Sequence, residues 1–165
     1  MQLLGENDVN TAASGDIVVL AVPYPAVSAV LEQRADQLDG KIVVDITKPL
    51  NFETFDELTV PADSSAAAEI AAKLPGSRVL KAFNTTFAGT LSAGTVGPLT
   101  TTVLIAGDDA DAKSTLAGVV TSGGLKAIDA GGLKRARELE AMGFLQISLA
   151  AGEKVSWTGG FGIVA

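Results

Sequence analysis

Cysteine and histidine are both absent from this chain of 165 residues. Without cysteine there is no disulfide framework, thiolate nucleophile or thiolate metal site, and we predict a cytoplasmic protein. Without histidine, Ser-His-Asp catalysis and HExxH zinc sites are excluded, and the scattered carboxylates show no spacing typical of a catalytic pair. The sequence therefore predicts no catalytic side chain and no metal site. It favours either chemistry supplied by a bound cofactor or no chemistry at all.

Positive charge and long apolar runs are also scarce. The chain has 12 Lys and Arg against 19 Asp and Glu, a net charge of −7, and no dense basic cluster. This balance argues against a nucleic-acid partner. No apolar stretch approaches the ~20 residues that span a bilayer, and Met1–Gly5 is too short and uncharged for a signal peptide. We therefore expect a small-molecule substrate, with no nucleic acid and no membrane as partner.

Short apolar runs alternate with helical patterns along the whole chain. The run at 17–21 is continuously apolar, which is typical of a strand covered on both faces, and 42–46 and 78–83 are predicted as a second and a third strand. Helical spacing follows, and the last helix is predicted over about 133–151. Its second half is almost wholly apolar, and we expect it to be buried in this chain or in a partner subunit. The pattern predicts one α/β domain over residues 1–165, with a mostly parallel sheet and helices on both faces.

In such sheets ligands bind beyond the carboxyl ends of the strands. That rule predicts a cofactor site at the ends of the three runs, formed by Ala21, Val22, Pro23, Tyr24, Thr47, Pro49, Ala82, Phe83, Asn84 and Thr85. Each group has a simpler interpretation. Pro23 and Pro25 restart the chain as a helix, 47–51 is an ordinary turn, and Asn84–Thr86 is a helix N-cap. Three polar turns at equivalent strand ends favour the functional interpretation.

Five segments carry a resemblance to a known family, namely AVPYPAV, KIVVDITKPLN, PADSSAAAEIAAKLP, VLKAFNTTFA and DAGGLKRARELEAMGFLQISLA. The chain resembles the NADP oxidoreductases of the coenzyme F420-dependent (deazaflavin) family from about Gly5 to Lys154. The resemblance implies a Rossmann domain that binds NADPH and passes hydride to a deazaflavin or flavin. It also implies that Val22-Pro23 line the cofactor groove and that 81–85 approach the nicotinamide. The arginines and Glu138 of the last helix would then form the acceptor side or a subunit contact.

The resemblance fails at the start of the chain, where no glycine-rich phosphate loop precedes the first buried strand. The family opens with a strand, a G-x-G-x-x-G/A turn and a helix, and Met1–Gly5 resembles the second strand of that pattern. We therefore expect that the first strand-helix unit is missing and that NADP binding is weak or absent, because the glycine turn presents backbone N–H groups to the pyrophosphate. Two functions remain open. One is an impaired NADP-linked oxidoreductase, and the other is a catalytically inactive, cofactor-free remnant that self-associates. Without the missing unit, the strand at 17–21 is either an open edge or is paired by Met1–Leu4. An open edge, or the apolar surface of the last helix and the tail, favours self-association, so we expect a homodimer for either function.

Overall fold

A computed structural model describes residues 2–4 and 12–164. Its strands are β1 (Gln2–Leu4), β2 (Ile17–Leu20), β3 (Ile42–Asp45), β4 (Arg78–Lys81), β5 (Thr95–Val96), β6 (Leu99–Thr100), β7 (Thr102–Gly107) and β8 (Lys126–Gly131). Its helices are α1 (Tyr24–Leu38), α2 (Ala66–Lys73), α3 (Ala88–Ala93), α4 (Ala110–Ser122) and α5 (Ala136–Ala151), the last preceded by a 3-10 turn at Leu133–Arg135.

Six strands form one sheet in the order β1-β2-β3-β4-β7-β8, and β5 and β6 form a separate hairpin. Neighbouring strands are parallel except for β4 and β7, which are antiparallel. The predicted Rossmann-type α/β fold with a mostly parallel sheet is therefore confirmed. Because β7 reverses direction, Gly107-Asp108 lies at the edge of the sheet opposite to the carboxyl ends of β2, β3 and β4.

Both faces of the sheet are covered, which explains the continuous apolar runs. On one face Val18, Leu20 and Val43 pack against α1 and α2, including Leu31 and Ile70. On the other face the alternate residues of the same strands pack against α4; they include Ile17, Val19, Val44, Ala112 and Leu116. Since successive strand residues point to opposite faces, a strand that is buried on both faces has no polar position in its interior.

Strand β1 covers what would be a free edge of β2. Gln2 pairs with Val18 and Leu4 with Leu20, in parallel. The sequence left two alternatives for β2, either an open edge or pairing by the first residues, and the structure has the second. The predicted bounds Met1 and Gly5 lie outside the described residues.

The β5–β6 hairpin was not predicted. In the apolar second half of α5, Leu145 is 53% exposed in the single chain. Of the two predicted ways to bury this half, a contact with a partner subunit stays a prediction for Leu145. Within residues 2–4 and 12–164, the structure contains no helix with the length and apolar character to span a bilayer.

Candidate functional site

The carboxyl ends of β2, β3 and β4 lie side by side. Leu20 pairs with Asp45, and Asp45 pairs with Lys81. The residues that follow these three positions therefore meet at one edge of the sheet, which we call the carboxyl edge. All ten predicted site residues belong to the three segments that leave this edge. Their role in cofactor binding stays a prediction, and their shared location is what that prediction requires.

The ten residues are not equally accessible. Ala21 and Pro23 are exposed, and Tyr24 and Phe83 are partly buried. The buried members are Val22, Thr47, Pro49, Ala82, Asn84 and Thr85. In the free protein Ala21, Pro23, Tyr24 and Phe83 thus form the accessible surface of the carboxyl edge, and a ligand reaches the buried members only if the turns above them move.

Two of the simpler interpretations can be compared with the structure. Pro23 is the N-cap of α1 and Pro25 lies in its first turn, so the prolines do restart the chain as a helix. Asn84 is not a helix cap, because the N-cap of α3 is Phe87. The Asn84 side chain instead donates from Nδ2 to the Leu139 carbonyl of α5, at 2.8 Å. That bond ties the turn after β4 to the last helix.

Phe83 follows β4 in a left-handed backbone conformation, with φ of 63°. Such a conformation costs free energy in a residue other than glycine and persists only where the surroundings hold it. Here the turn is fixed on both sides, by Lys81 in the sheet and by Asn84 bound to α5. Backbone strain of this kind occurs often at binding sites, so it supports the predicted location.

A fully buried lysine, Lys81, lies beneath the surface of the carboxyl edge. Lys81 Nζ lies 2.7 Å from Asp45 Oδ2, 2.8 Å from the Thr47 carbonyl oxygen and 2.9 Å from Glu140 Oε1. An ammonium group has three N–H donors, and all three are used. Lys81 therefore joins β3, β4 and α5 through one set of buried contacts.

Glu140 of α5 also occupies the N-terminus of α2. Its Oε2 accepts from Ala66 N at 2.9 Å and its Oε1 from Ala67 N at 3.3 Å, while Ser65 Oγ caps the helix by accepting from Ala68 N at 3.0 Å. Burial raises the pKa of Glu140, although Lys81 and the Ala66 N–H act in the opposite direction. The first free N–H groups of α2 are thus already bound to protein oxygens.

The buried contacts that join Asp45, Lys81 and Glu140 were not predicted from the sequence. One signal was present, because Asp45 and Lys81 each interrupt an apolar run at its end with opposite charge. Parallel strands bring such positions together, so the pair was open to prediction. Glu140 carried no comparable signal, since it lies 59 positions beyond Lys81 in a helix that begins with several charges.

Three further polar groups at the carboxyl edge lack a full set of partners. Thr47 Oγ1 and Asn84 Oδ1 are buried and accept or donate no hydrogen bond within the described part of the chain. Lys48 Nζ lies 3.5 Å from the Thr86 carbonyl oxygen, at the long limit of a hydrogen bond. Burial, followed by the nearby charge of Lys81, lowers the pKa of Lys48. These groups are the ones that a polar ligand would satisfy.

A cleft of about 180 Å³ lies on the α1–α2 side of this edge. The Tyr24 hydroxyl donates to the Glu69 carboxylate there, and Lys73 Nζ donates to Ser28 Oγ at 2.5 Å. Burial, together with the hydrogen bond to Glu69, raises the pKa of Tyr24 well above its usual value. Tyr24 therefore stays a neutral donor held toward α2.

Comparisons with known proteins agree with this geometry. Residues 3–49 match the family of NADP oxidoreductases that depend on coenzyme F420. The F420-dependent NADP reductase of Methanocaldococcus jannaschii is 32% identical over 161 residues, which are 95% of this chain and 72% of that protein. The rat metalloreductase STEAP3 is 35% identical over 130 residues, which are 79% of this chain and 25% of that protein.

A solved structure extends the likeness to the fold. A protein from Arthrobacter sp. FB24, provisionally assigned as an F420-dependent NADP reductase, superposes with a TM-score of 0.81 at 28% sequence identity. The superposition covers 95% of this chain and 72% of that one. The likeness thus includes the strands that form the carboxyl edge.

Proposed function

Since this chain belongs to the family of coenzyme F420-dependent NADP oxidoreductases, we propose that it is an NADP(H)-linked reductase of the deazaflavin or flavin type. When bound, the reduced nicotinamide supplies a hydride. The chain's own residues bind, orient and exclude water, since cysteine and histidine are absent from the sequence. The observation that carries the proposal is the pair of buried, unpartnered groups at the carboxyl edge, Thr47 Oγ1 and Asn84 Oδ1.

These two groups fit the nicotinamide end of the cofactor. A carboxamide offers two N–H donors and one acceptor. The turn after β4 offers the acceptor Asn84 Oδ1, and the turn after β3 offers the hydroxyl of Thr47. Thr47 is 4% exposed and Asn84 is 1% exposed, so each unmade hydrogen bond costs free energy in the free protein. We propose that the carboxamide satisfies them and fixes which face of the ring meets the acceptor.

The described residues of the carboxyl edge do not offer the pyrophosphate of NADPH the set of helix N–H donors that it usually binds. At the carboxyl edge, α1 begins with Pro23 and Pro25, which have no N–H, and Ala26 N donates to the Pro23 carbonyl at 2.9 Å. The N–H groups of α2 are bound by Glu140 and Ser65. We therefore propose that this chain binds NADPH weakly, through its nicotinamide half.

Replacing Thr47 by Val tests the proposal. The change keeps the shape and removes a hydroxyl that has no partner, so the free energy of unfolding should stay within about 0.5 kcal/mol or rise. The kcat/KM for NADPH oxidation with a deazaflavin or with FMN should fall about fivefold, the worth of one hydrogen bond of ~1 kcal/mol. Absorbance of NADPH at millimolar concentration measures it.

Thr102→Val is the matched control, because Thr102 Oγ1 on β7 is also buried and unpartnered but lies outside the predicted set. It should leave kcat/KM unchanged. Equal activity of both variants and the unmodified chain would contradict the carboxamide site. Absence of NADPH oxidation with every acceptor would remove the reductase proposal.

A second candidate function is a cofactor-free, catalytically inactive protein that self-associates. The observations that favour it are the N–H groups of α2, which are bound by Glu140 and Ser65, and the two prolines at the start of α1, which have no N–H. In this alternative Thr47→Val still leaves stability intact, but no nicotinamide binds at any concentration. Nicotinamide binding thus separates the two functions.

We further propose that the chain forms a homodimer. With β2 covered by β1, the argument no longer depends on an open edge. It depends on apolar side chains that remain in water, namely Leu145, Trp157, Phe161 and Val164, at 53%, 52%, 39% and 83% exposure. Burying such side chains stabilises a contact by roughly 1.5–3 kcal/mol each. Light scattering at micromolar concentration should give twice the chain mass of 16.7 kDa, and a stable species at 16.7 kDa would contradict the dimer.

A further inference from the structure

Lys48 is a cation for which the described residues provide no counter-ion. The ion pairs between described residues use Lys81, Lys113 and Arg135, and none of them includes Lys48. The amine is partly buried and reaches only the Thr86 carbonyl oxygen, at 3.5 Å. Keeping a charge partly out of water without an opposite charge is unfavourable, and such a group marks a place where an anion would be stabilised.

The carboxylates that surround Lys81 are already bonded. Asp45 Oδ2 and Glu140 Oε1 lie 2.7 and 2.9 Å from Lys81 Nζ. Asp45 Oδ1 accepts from Thr47 N at 2.8 Å, and Glu140 also accepts from two N–H groups of α2. A carboxylate that turned toward Lys48 would remove one of the two partners of buried Lys81 and break these bonds. Lys48 therefore meets Lys81 as a like charge, and its amine is available to a ligand from outside.

We propose that Lys48 binds a phosphate group at the carboxyl edge, bridging the turns after β3 and β4. This deepens the proposed function and rests on it for the identity of the ligand. The N–H groups of α2 are bound by Glu140 and Ser65, and α1 has proline as its N-cap and in its first turn. A lysine offers a point-charge contact to the phosphate instead. The phosphate is either that of a nicotinamide nucleotide or that of a phosphorylated hydride acceptor such as FMN.

Two pairs of ligands distinguish the sources. Reduced nicotinamide mononucleotide and reduced nicotinamide riboside differ only in the phosphate, as do FMN and riboflavin. We expect the chain to prefer the phosphorylated member of one pair by about tenfold, as for a hydrogen bond to a charged group. The pair that shows the preference identifies the source. Calorimetry or fluorescence of the single Trp, Trp157, measures both affinities.

Lys48→Met should abolish the preference, and Lys48→Arg, which keeps the charge, should retain part of it. Lys41→Met is the matched control. Lys41 precedes the same strand at its opposite end, and its amine also contacts a backbone carbonyl, that of Gly15, at 2.9 Å. It should leave the preference unchanged. A preference that survives in Lys48→Met, or no preference in the unmodified chain for either pair, overturns the proposal.

Stability gives a second readout. If Lys48 served only to balance the buried charges of Asp45 and Glu140, Lys48→Met would lower the free energy of unfolding. The proposal expects the same or higher stability, because the variant removes an unpaired cation. A phosphate preference without NADPH oxidation would keep the Lys48 site and remove the reductase function. NADPH oxidation with no phosphate preference would keep the reductase function and remove the Lys48 site.

Discussion

Lys81→Ala should lower the free energy of unfolding by about 3–5 kcal/mol, the largest effect we expect of any single substitution. Lys81 is fully buried and is the only cation bonded to Asp45 and Glu140 among the described residues. Removing it leaves two buried carboxylates without their shared partner, which costs more than the ion pairs contribute when intact. Denaturation in urea, followed by circular dichroism, measures the change.

The matched control is Lys113→Ala. Lys113 Nζ lies 2.7 Å from Asp129 Oδ2, the same distance as in the Lys81–Asp45 pair, but the Asp129 side chain is 59% exposed. A surface pair of this kind contributes less than about 1 kcal/mol. Equal losses for Lys81→Ala and Lys113→Ala would contradict the view that burial sets the effect.

A triple replacement separates charge from packing. Lys81→Met with Asp45→Asn and Glu140→Gln removes all three charges and keeps similar volumes. Neutralising a whole buried network costs much less than removing one member of it. The triple variant should therefore be more stable than Lys81→Ala. A triple variant that is less stable than Lys81→Ala would show that the charges themselves hold β3, β4 and α5 together.

The second large effect that we expect concerns the affinity for NADPH. This chain should bind NADPH more weakly, by orders of magnitude, than a chain with a complete phosphate loop does. Each charge-assisted hydrogen bond to phosphate contributes roughly 1.5–3 kcal/mol, and a glycine turn with a helix N-terminus provides several. This sequence has no such turn between a strand and a helix. Gly107 ends β7 at the opposite edge of the sheet, and Asp109 caps α4 there. A single lysine, Lys48, does not replace several such bonds.

The sequence predicted the central strands because each is mostly apolar, as a strand covered on both faces requires, although Asp45 and Lys81 interrupt the second and the third. The run at 42–46 became β3, Ile42–Asp45, and the run at 78–83 became β4, Arg78–Lys81. The strands stop earlier than the runs because the next residues turn away to form the carboxyl edge. The hairpin of β5 and β6 was not predicted, because strands of two residues are too short to show a hydrophobic period.

The sequence placed the ten predicted residues at the ends of three strands, and adjacent pairing of β2, β3 and β4 brings them to one edge. That this edge binds a cofactor stays a prediction. Nothing in the sequence indicated that Asn84 would bond to Leu139 rather than cap α3, because that bond joins positions 55 residues apart. The exposure of Leu145 likewise depends on packing that an all-apolar helix pattern does not reveal.

The most direct test of the account compares the affinity of this chain for NADPH with its affinity for reduced nicotinamide mononucleotide, by calorimetry under the same conditions. If the carboxyl edge binds only the nicotinamide half, the adenylate half adds almost nothing, and the two dissociation constants should agree within about tenfold, a difference of ~1.4 kcal/mol. Both should lie well above the micromolar range. Micromolar binding of NADPH together with a preference of more than about a hundredfold over the mononucleotide would contradict the account.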